Sequence, residues 1–299
     1  MTVVARPWPA PPPARVGTGA TRHPLRRSLS RTGRNGVAVG FVTLMIFPVY
    51  WMVITAFKPR GEVMAPDPSF LPLHPTLAGF ADAVHKQYFW DYWVNTVTVS
   101  VATVVISLAI GLLAAVALSR FDFVGRKLYL VVLLAIEAVP QASLIIPLYF
   151  TLKRFHQLDQ LSGLTATYVI FTLPFAVWML RGFVQSSPKD LEEAAMVDGC
   201  SRMGAFRRVL LPLIAPGMVA TAVFSFIGAW NQYVFPFVFM QENNRYPLTV
   251  WLQSFSTDIG TDYSGLMAAS VLYTLPVVVM FVVVQRKLVA GLASGALKG

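Results

Sequence analysis

A single cysteine, Cys200, stands in 299 residues, so neither an internal disulfide framework nor a cysteine-based zinc site is available. Histidine is nearly as scarce, and His23, His74, His85 and His156 are scattered without metal-ligand spacing. Charge is sparse as well. Only 13% of residues are charged and 56% are hydrophobic, whereas soluble domains run near 25% charged. A P-loop needs Gly-x-x-x-x-Gly-Lys followed by Ser or Thr to cradle phosphate. Here no lysine precedes either residue: the next residues are Pro, Gln, Leu, Arg, Asp, Leu and Gly in order. These absences argue against a metalloprotein, a disulfide scaffold and a chain with its own ATPase.

What fills the sequence instead is long apolar runs. A helix crossing the hydrocarbon core takes about 20 apolar residues, and six segments qualify: 37–57, 95–118, 128–151, 164–184, 213–239 and 264–285. The fold class expected is all-α and integral to the membrane. Residues 1–36 are rich in Pro, Arg, Gly and Ser, with Pro11, Pro12 and Pro13 in a row, and are expected to be a disordered basic tail. The run from Val37 to Phe57 is too long for a signal-peptide core and lacks a small-residue cleavage site, so it reads as a retained span. The membrane domain is then 37–286, followed by a tail over 287–299.

The net charge of +10 lies between the spans and not on one basic face, which fits membrane topology and gives no support to a nucleic-acid partner. With the N-terminus inside, 18 basic residues face five acidic ones on the cytoplasmic side, and six basic face eight acidic outside. Both termini are expected in the cytoplasm, in a multi-pass protein of a bacterial inner membrane. Tyr88, Phe89, Trp90, Tyr92 and Trp93 precede the second span and read as an interfacial anchor in lipid.

The loop between the fourth and fifth spans carries the most specific pattern. Ser187 reads as an N-cap, Pro188 as the first helical position and Asp190 as the closing residue of a capping box. Gly199 supplies a stop, and Ser201 a cap for a second short helix ending before Pro212. An ordinary solvated loop is the plain alternative. A DNA-binding helix-turn-helix would use Arg202, Arg207 and Arg208, but both ends of the loop are tethered to spans.

Glu193-Ala194-Ala195, three residues, Gly199, nine residues, then Val209-Leu210-Leu211-Pro212 resembles the EAA loop of ABC-importer permeases. Asp198-Gly199 and Phe206 resemble the sugar-importing branch, in which Ala is more usual where Cys200 stands. The resemblance runs from about Phe41 to the C-terminus. It includes Ser119-Arg120-Phe121, Pro147-Leu148-Tyr149, Trp230-Asn231 with Pro236, and the tail from Gly291-Leu292 to Gly295-Ala296-Leu297-Lys298-Gly299. It implies a coupling helix, with Glu193, Ala194, Ala195, Asp198, Gly199, Phe206 and Pro212 at the contact with a separate cytoplasmic ATP-binding subunit dimer. It further implies a second permease subunit, an extracellular or periplasmic sugar-binding protein, and no cofactor or catalytic site on this chain. By the same resemblance the second outer loop dips toward the binding protein's sugar site.

Polar groups within the spans mark a candidate substrate path. Glu137 would be costly facing lipid, and Pro140, Gln141, Ser143 and Pro147 would interrupt helix bonding after it. Trp230, Asn231, Gln232 and Tyr233 suit a sugar, through ring packing and amide hydrogen bonds. Pairing of Glu137 with a second permease is the competing reading. A secondary transporter with Glu137 as its proton or ion site is the alternative function, although no inverted repeat is evident.

Overall fold

The computed structural model describes residues 24–257 and 260–296, with side chains over 35–257 and 260–285. Residues 1–23, 297–299 and the side chains of the tail arginines lie outside what is described. The helices follow as α1 (Pro24–Ala56), α2 (Arg60–Val63), α3 (Ala78–His85), α4 (Phe89–Arg120), α5 (Arg126–Glu137) and α6 (Ile145–Arg154). After them come α7 (Leu161–Ser186), α8 (Lys189–Val197), α9 (Arg202–Ala205), α10 (Leu211–Trp230), α11 (Val234–Phe239), α12 (Leu248–Gln253) and α13 (Tyr263–Ala296). The strands described are two residues each, β1 (Ser256–Thr257) and β2 (Gly260–Thr261), paired antiparallel. The described residues are thus all-α apart from one small hairpin.

Among the described residues, five helical stretches are long and apolar enough to cross a membrane: 35–56, 89–120, 161–186, 202–230 and 263–285. One further apolar stretch is a bent pair of helices. The expected third span is not one helix: Arg126–Glu137 and Gln141–Arg154 meet at 96°. Pro140 has no N–H to donate and its ring opposes a continued helix, so the chain turns there and resumes through a short 3-10 segment, Gln141–Leu144. The expected fifth span ends early, at Trp230, and Val234–Phe239 is a separate helix. The tail expected to be disordered through residue 36 is helical from Pro24. A proline is tolerated in a helix's first turn, and Leu and Arg behind it are good helix formers.

Two compact units divide at Tyr50 and Trp51. The first is described as the α1 stretch up to Tyr50, whose run from Val37 to Val49 is apolar with Pro48 inside the helix. In the second, α4 and α7 form the central pair. Lipid tails provide little hydrophobic drive between helices, so close packing of small residues substitutes for it. Accordingly a Cβ on Gly111 of α4 would lie 3.3 Å from that of Ala176 on α7, and Ser107 Oγ lies 2.7 Å from Thr172 Oγ1. Leu112, Ala115, Leu180 and Val184 fill the seam together with Leu210 and Ile214 from the α10 side. Where α10 crosses α7, Gly217 makes room for the Phe183 ring.

The aromatic cluster before the second span divides between core and surface. α4 begins at Phe89, and helical periodicity turns Phe89 and Tyr92 inward, where they are buried beside Trp230, Leu248 and Trp251. Trp90 alone of the group remains strongly exposed. Loop 241–263, expected on the outer face, is likewise folded back. Leu248 N donates to Thr96 Oγ1 at 2.8 Å, and Trp251 is 2% exposed.

Candidate functional site

The short helix α8 is placed by its two ends. Ser187 precedes a proline and is extended, and Pro188, also extended, occupies the cap position, so the helix starts at Lys189. The expected capping box is therefore absent: no side chain caps α8. Instead the Ser187 carbonyl accepts from Arg120 Nη2 at 3.1 Å. Asp190 and Glu192 sit in the first turn, where negative charge suits the helix dipole.

The other end matches expectation. Gly199 has φ +91°; its N–H donates to the Met196 carbonyl at 3.1 Å, and Cys200 N–H to that of Ala195 at 2.9 Å. Those two bonds are a Schellman termination. Ser201 then caps α9, its hydroxyl accepting from Gly204 N at 3.1 Å. The second short helix does not stop before Pro212, however. It passes through a π-helical turn, Phe206–Leu210, straight into α10. A wider turn accommodates the donor that Pro212 lacks.

Among the expected contact residues, Glu193, Ala194, Asp198, Gly199 and Pro212 are exposed, and Ala195 and Phe206 are half-buried. Glu193 is paired at 3.1 Å with Lys189, both well exposed; such pairs contribute only a few tenths of a kcal/mol, which leaves the carboxylate available. Sequence reading missed Glu192 on the other side of the same helix. It meets Arg120 at 2.6 Å, with only 11% of the arginine and 15% of the glutamate side chain exposed. Ser119-Arg120-Phe121 was visible as a motif, but nothing in the spacing shows a partner 72 residues away.

At the other end of α10 the candidate path residues separate into two groups. Gln232 Nε2 donates to Gln141 Oε1 at 3.3 Å, which joins the break after α5 to the end of α10. The Tyr273 hydroxyl donates to Asn231 Oδ1 at 2.8 Å, a partner absent from the sequence reading. Thr249 Oγ1 donates to the Gln232 carbonyl at 2.7 Å, bringing the folded loop 241–263 to the same place. Trp230 does not join this group. It is 1% exposed, stacked on Phe226 at 5.1 Å and tilted against Tyr273 at 5.7 Å, so its faces are covered by protein. Tyr233 stacks on Phe237 at 5.4 Å. Glu137 lies apart, in an apolar pocket of about 230 Å³ lined by Leu133, Leu134, Pro174, Phe175 and Trp178.

The far loops are held by carboxylates. Glu62 accepts from Ser69 Oγ at 2.7 Å and from the backbone N–H groups of Leu73 at 2.9 Å and His74 at 3.4 Å. The Leu73 bond foremost, helped by Ser69, holds this carboxyl below the usual range. Arg60 bridges Asp262 at 2.7 Å and Asp82 at 3.2 Å. Asp159, with φ 57°, accepts from Gln241 N at 2.9 Å and Glu242 N at 3.2 Å. It thereby fixes the turn after α11.

A family model described as binding-protein-dependent transport system inner membrane component matches residues 107–294. The diacetylchitobiose uptake system permease protein DasC of Streptomyces coelicolor is 42% identical over 276 residues, 92% of this chain and 100% of that one. The trehalose/maltose transport system permease protein MalG of Thermococcus litoralis is 33% identical over 270 residues, 88% of this chain and 95% of that one. In fold, the chain is similar to one from a bacterial ABC transporter involved in import of the acidic polysaccharide alginate. The TM-score is 0.74 at 22% identity, over 88% of this chain and 98% of that one.

Proposed function

This chain belongs to the family of binding-protein-dependent transport system inner membrane components, and from that premise we propose that it is the permease subunit of an ATP-driven importer for carbohydrate. The observation that carries the reading is α8. It is a nine-residue helix held rigidly at its end by a Schellman turn, with Glu193 and Ala194 exposed on it. A small residue beside an exposed, weakly paired carboxylate is what a basic cleft on a partner ATPase can receive, and a rigid helix can transmit that partner's movement. The chain's lysines offer no P-loop, so the ATP-binding dimer is a separate subunit. The orientation we propose places α8 and both termini in the cytoplasm, which the excess of basic residues on that side supports.

Carbohydrate as cargo rests on relatives whose names specify diacetylchitobiose and trehalose or maltose. It also suits Gln141, Asn231 and Gln232, amides able to hydrogen-bond hydroxyl groups along a path shared with a second permease. A binding protein on the outer face would deliver the sugar. The test is uptake by the chain co-expressed with its ATPase, second permease and binding protein. Glu193→Lys and Gly199→Pro are expected to abolish uptake while the protein still reaches the membrane, and Asn231→Ala to weaken uptake several-fold with assembly intact. Uptake by this chain alone, without ATP, would overturn the reading in favour of a secondary transporter working through Glu137.

A further inference from the structure

α4 is a single helix of 32 residues without an interior proline, about 48 Å long at 1.5 Å per residue. Each of its ends is bonded to an element that a transport cycle would have to move. At one end Arg120 donates from Nε to Glu192 Oε1 at 2.8 Å and from Nη2 to the Ser187 carbonyl at 3.1 Å. It therefore holds both the first turns of α8 and the residue that leads into them. At the other end Asn95 Nδ2 donates to the carbonyls of Asn244 at 2.8 Å and Tyr246 at 3.1 Å, and Thr96 Oγ1 accepts from Leu248 N. Those bonds hold the folded outer loop, whose Thr249 is bonded to the Gln232 carbonyl at the candidate path.

The chemistry of the inner clamp indicates a geometric role. An ion pair with both partners largely covered gains little net stability, because desolvation offsets the attraction; its best-attested use is to fix register. Glu192 and Glu193 lie about 100° apart around the helix, so one face of α8 is tied to α4 while the other stays exposed. Asn95 and Thr96 are 8% and 3% exposed; the Asn95 amide donates to loop backbone, and the Thr96 hydroxyl, which donates to the Tyr92 carbonyl of its own helix, accepts from Leu248 N, which again positions a neighbouring element.

We propose that α4 is a connecting rod, clamped by Arg120 to the coupling helix and by Asn95 and Thr96 to the outer loop, so that movement of α8 reaches that loop, and the Thr249–Gln232 contact it carries, along this helix. Arg120, Glu192 and Asn95 are positioning residues. The proposal rests on the importer reading above, and its test separates the two. The complete complex, with its ATPase, second permease and binding protein, is reconstituted in vesicles. Diacetylchitobiose, trehalose and maltose are offered, and sugar taken up per ATP hydrolysed is measured.

If the unmodified complex shows no ATP-dependent uptake, the importer reading fails, and this inference with it. Given a working complex, Arg120→Gln, Glu192→Gln and Asn95→Ala are each expected to lower sugar per ATP about tenfold while ATP hydrolysis continues. The double variant Arg120→Gln with Asn95→Ala is expected to be no worse than the poorer single variant, since one rod with either end released transmits nothing more. Multiplied losses in the double variant would show two independent links and overturn the rod. So would wild-type stoichiometry in the single variants. Should Arg120→Gln not assemble, the reversed pair Arg120→Glu with Glu192→Arg takes its place. Coupling restored toward wild type supports the clamp, and an assembled but uncoupled complex counts against it.

Discussion

Gly199 offers a substitution whose effect is confined to the backbone. Its φ of +91° lies in the left-handed region, and a Cβ added there meets nothing within 4 Å, so no steric clash with neighbours enters. An L-residue in this region costs about 1–2 kcal/mol. The escape is to open the turn, giving up the Gly199–Met196 and Cys200–Ala195 bonds, each about 1 kcal/mol net. The two routes cost about the same, so the penalty for Gly199→Ala settles near 1–2 kcal/mol, and the open turn becomes about 5–30 times more populated. Amide hydrogen exchange at 199 and 200 in detergent-solubilised protein should accelerate by that factor. Gly199→Asn should change less, since Asn tolerates this conformation, and Gly199→Val more, since β-branching does not. Uptake should fall in the same order: Asn, Ala, Val. Equal exchange in all three variants, or slower exchange in Gly199→Ala, would refute the assignment of this glycine to a conformational role.

Further outcomes follow from other contacts. A Cβ on Gly217 would stand 2.2 Å from Phe183 Cγ, so Gly217→Val should overpack the α7–α10 crossing by about 1–3 kcal/mol. It should lower the melting temperature in detergent, and Phe183→Ala should recover part of the loss. The carboxyl of Glu62 is held below its ordinary value near 4.5, chiefly by the Leu73 amide. Its stabilisation of loop 62–74 is thus fully present above that value and lost as pH falls through the lower, folded-state pKa. Limited proteolysis should find the loop resistant from pH 7 down to about 4.5 and cut at lower pH, with Glu62→Gln susceptible throughout. Asp159→Ala removes the acceptor for Gln241 and Glu242, so exchange at those two amides should rise several-fold while α10 is unaffected.

Spans, loop and family pattern were legible because each is local. Apolar runs of about 20 residues mark helices in lipid whatever their neighbours, and Gly199 announces a left-handed stop by its own chemistry. The misses came where two local rules compete or where the partner is remote. Ser187 scores as a cap until Pro188 holds the chain extended for one more residue. Pro140 and Pro212 carry the same lesion, a missing donor, yet one bends the chain by 96° while the other is absorbed by a π turn. Sequence alone does not distinguish them. In the α5–α6 bend the short 3-10 link has no buried residue, whereas at Pro212 the buried Leu210 and Ile214 hold α10 against α7 and favour continuation.

The charged residues show the same limit from the other direction. Glu192 and Glu193 are neighbours of one type, and the spacing of the EAA pattern draws attention to Glu193 because its place in the motif is specific. What distinguishes them physically is where the helix turns them. Glu193 faces outward to Lys189, an i, i+4 neighbour that can be read from sequence. Glu192 faces Arg120, at the end of α4, four helices earlier in the chain, and that contact exists only once α4 and α7 have packed. A residue recognised by its motif points to what the chain offers a partner. A contact found only in the packed structure, such as that of Arg120 with Glu192, is what the proposed transmission along α4 is built on.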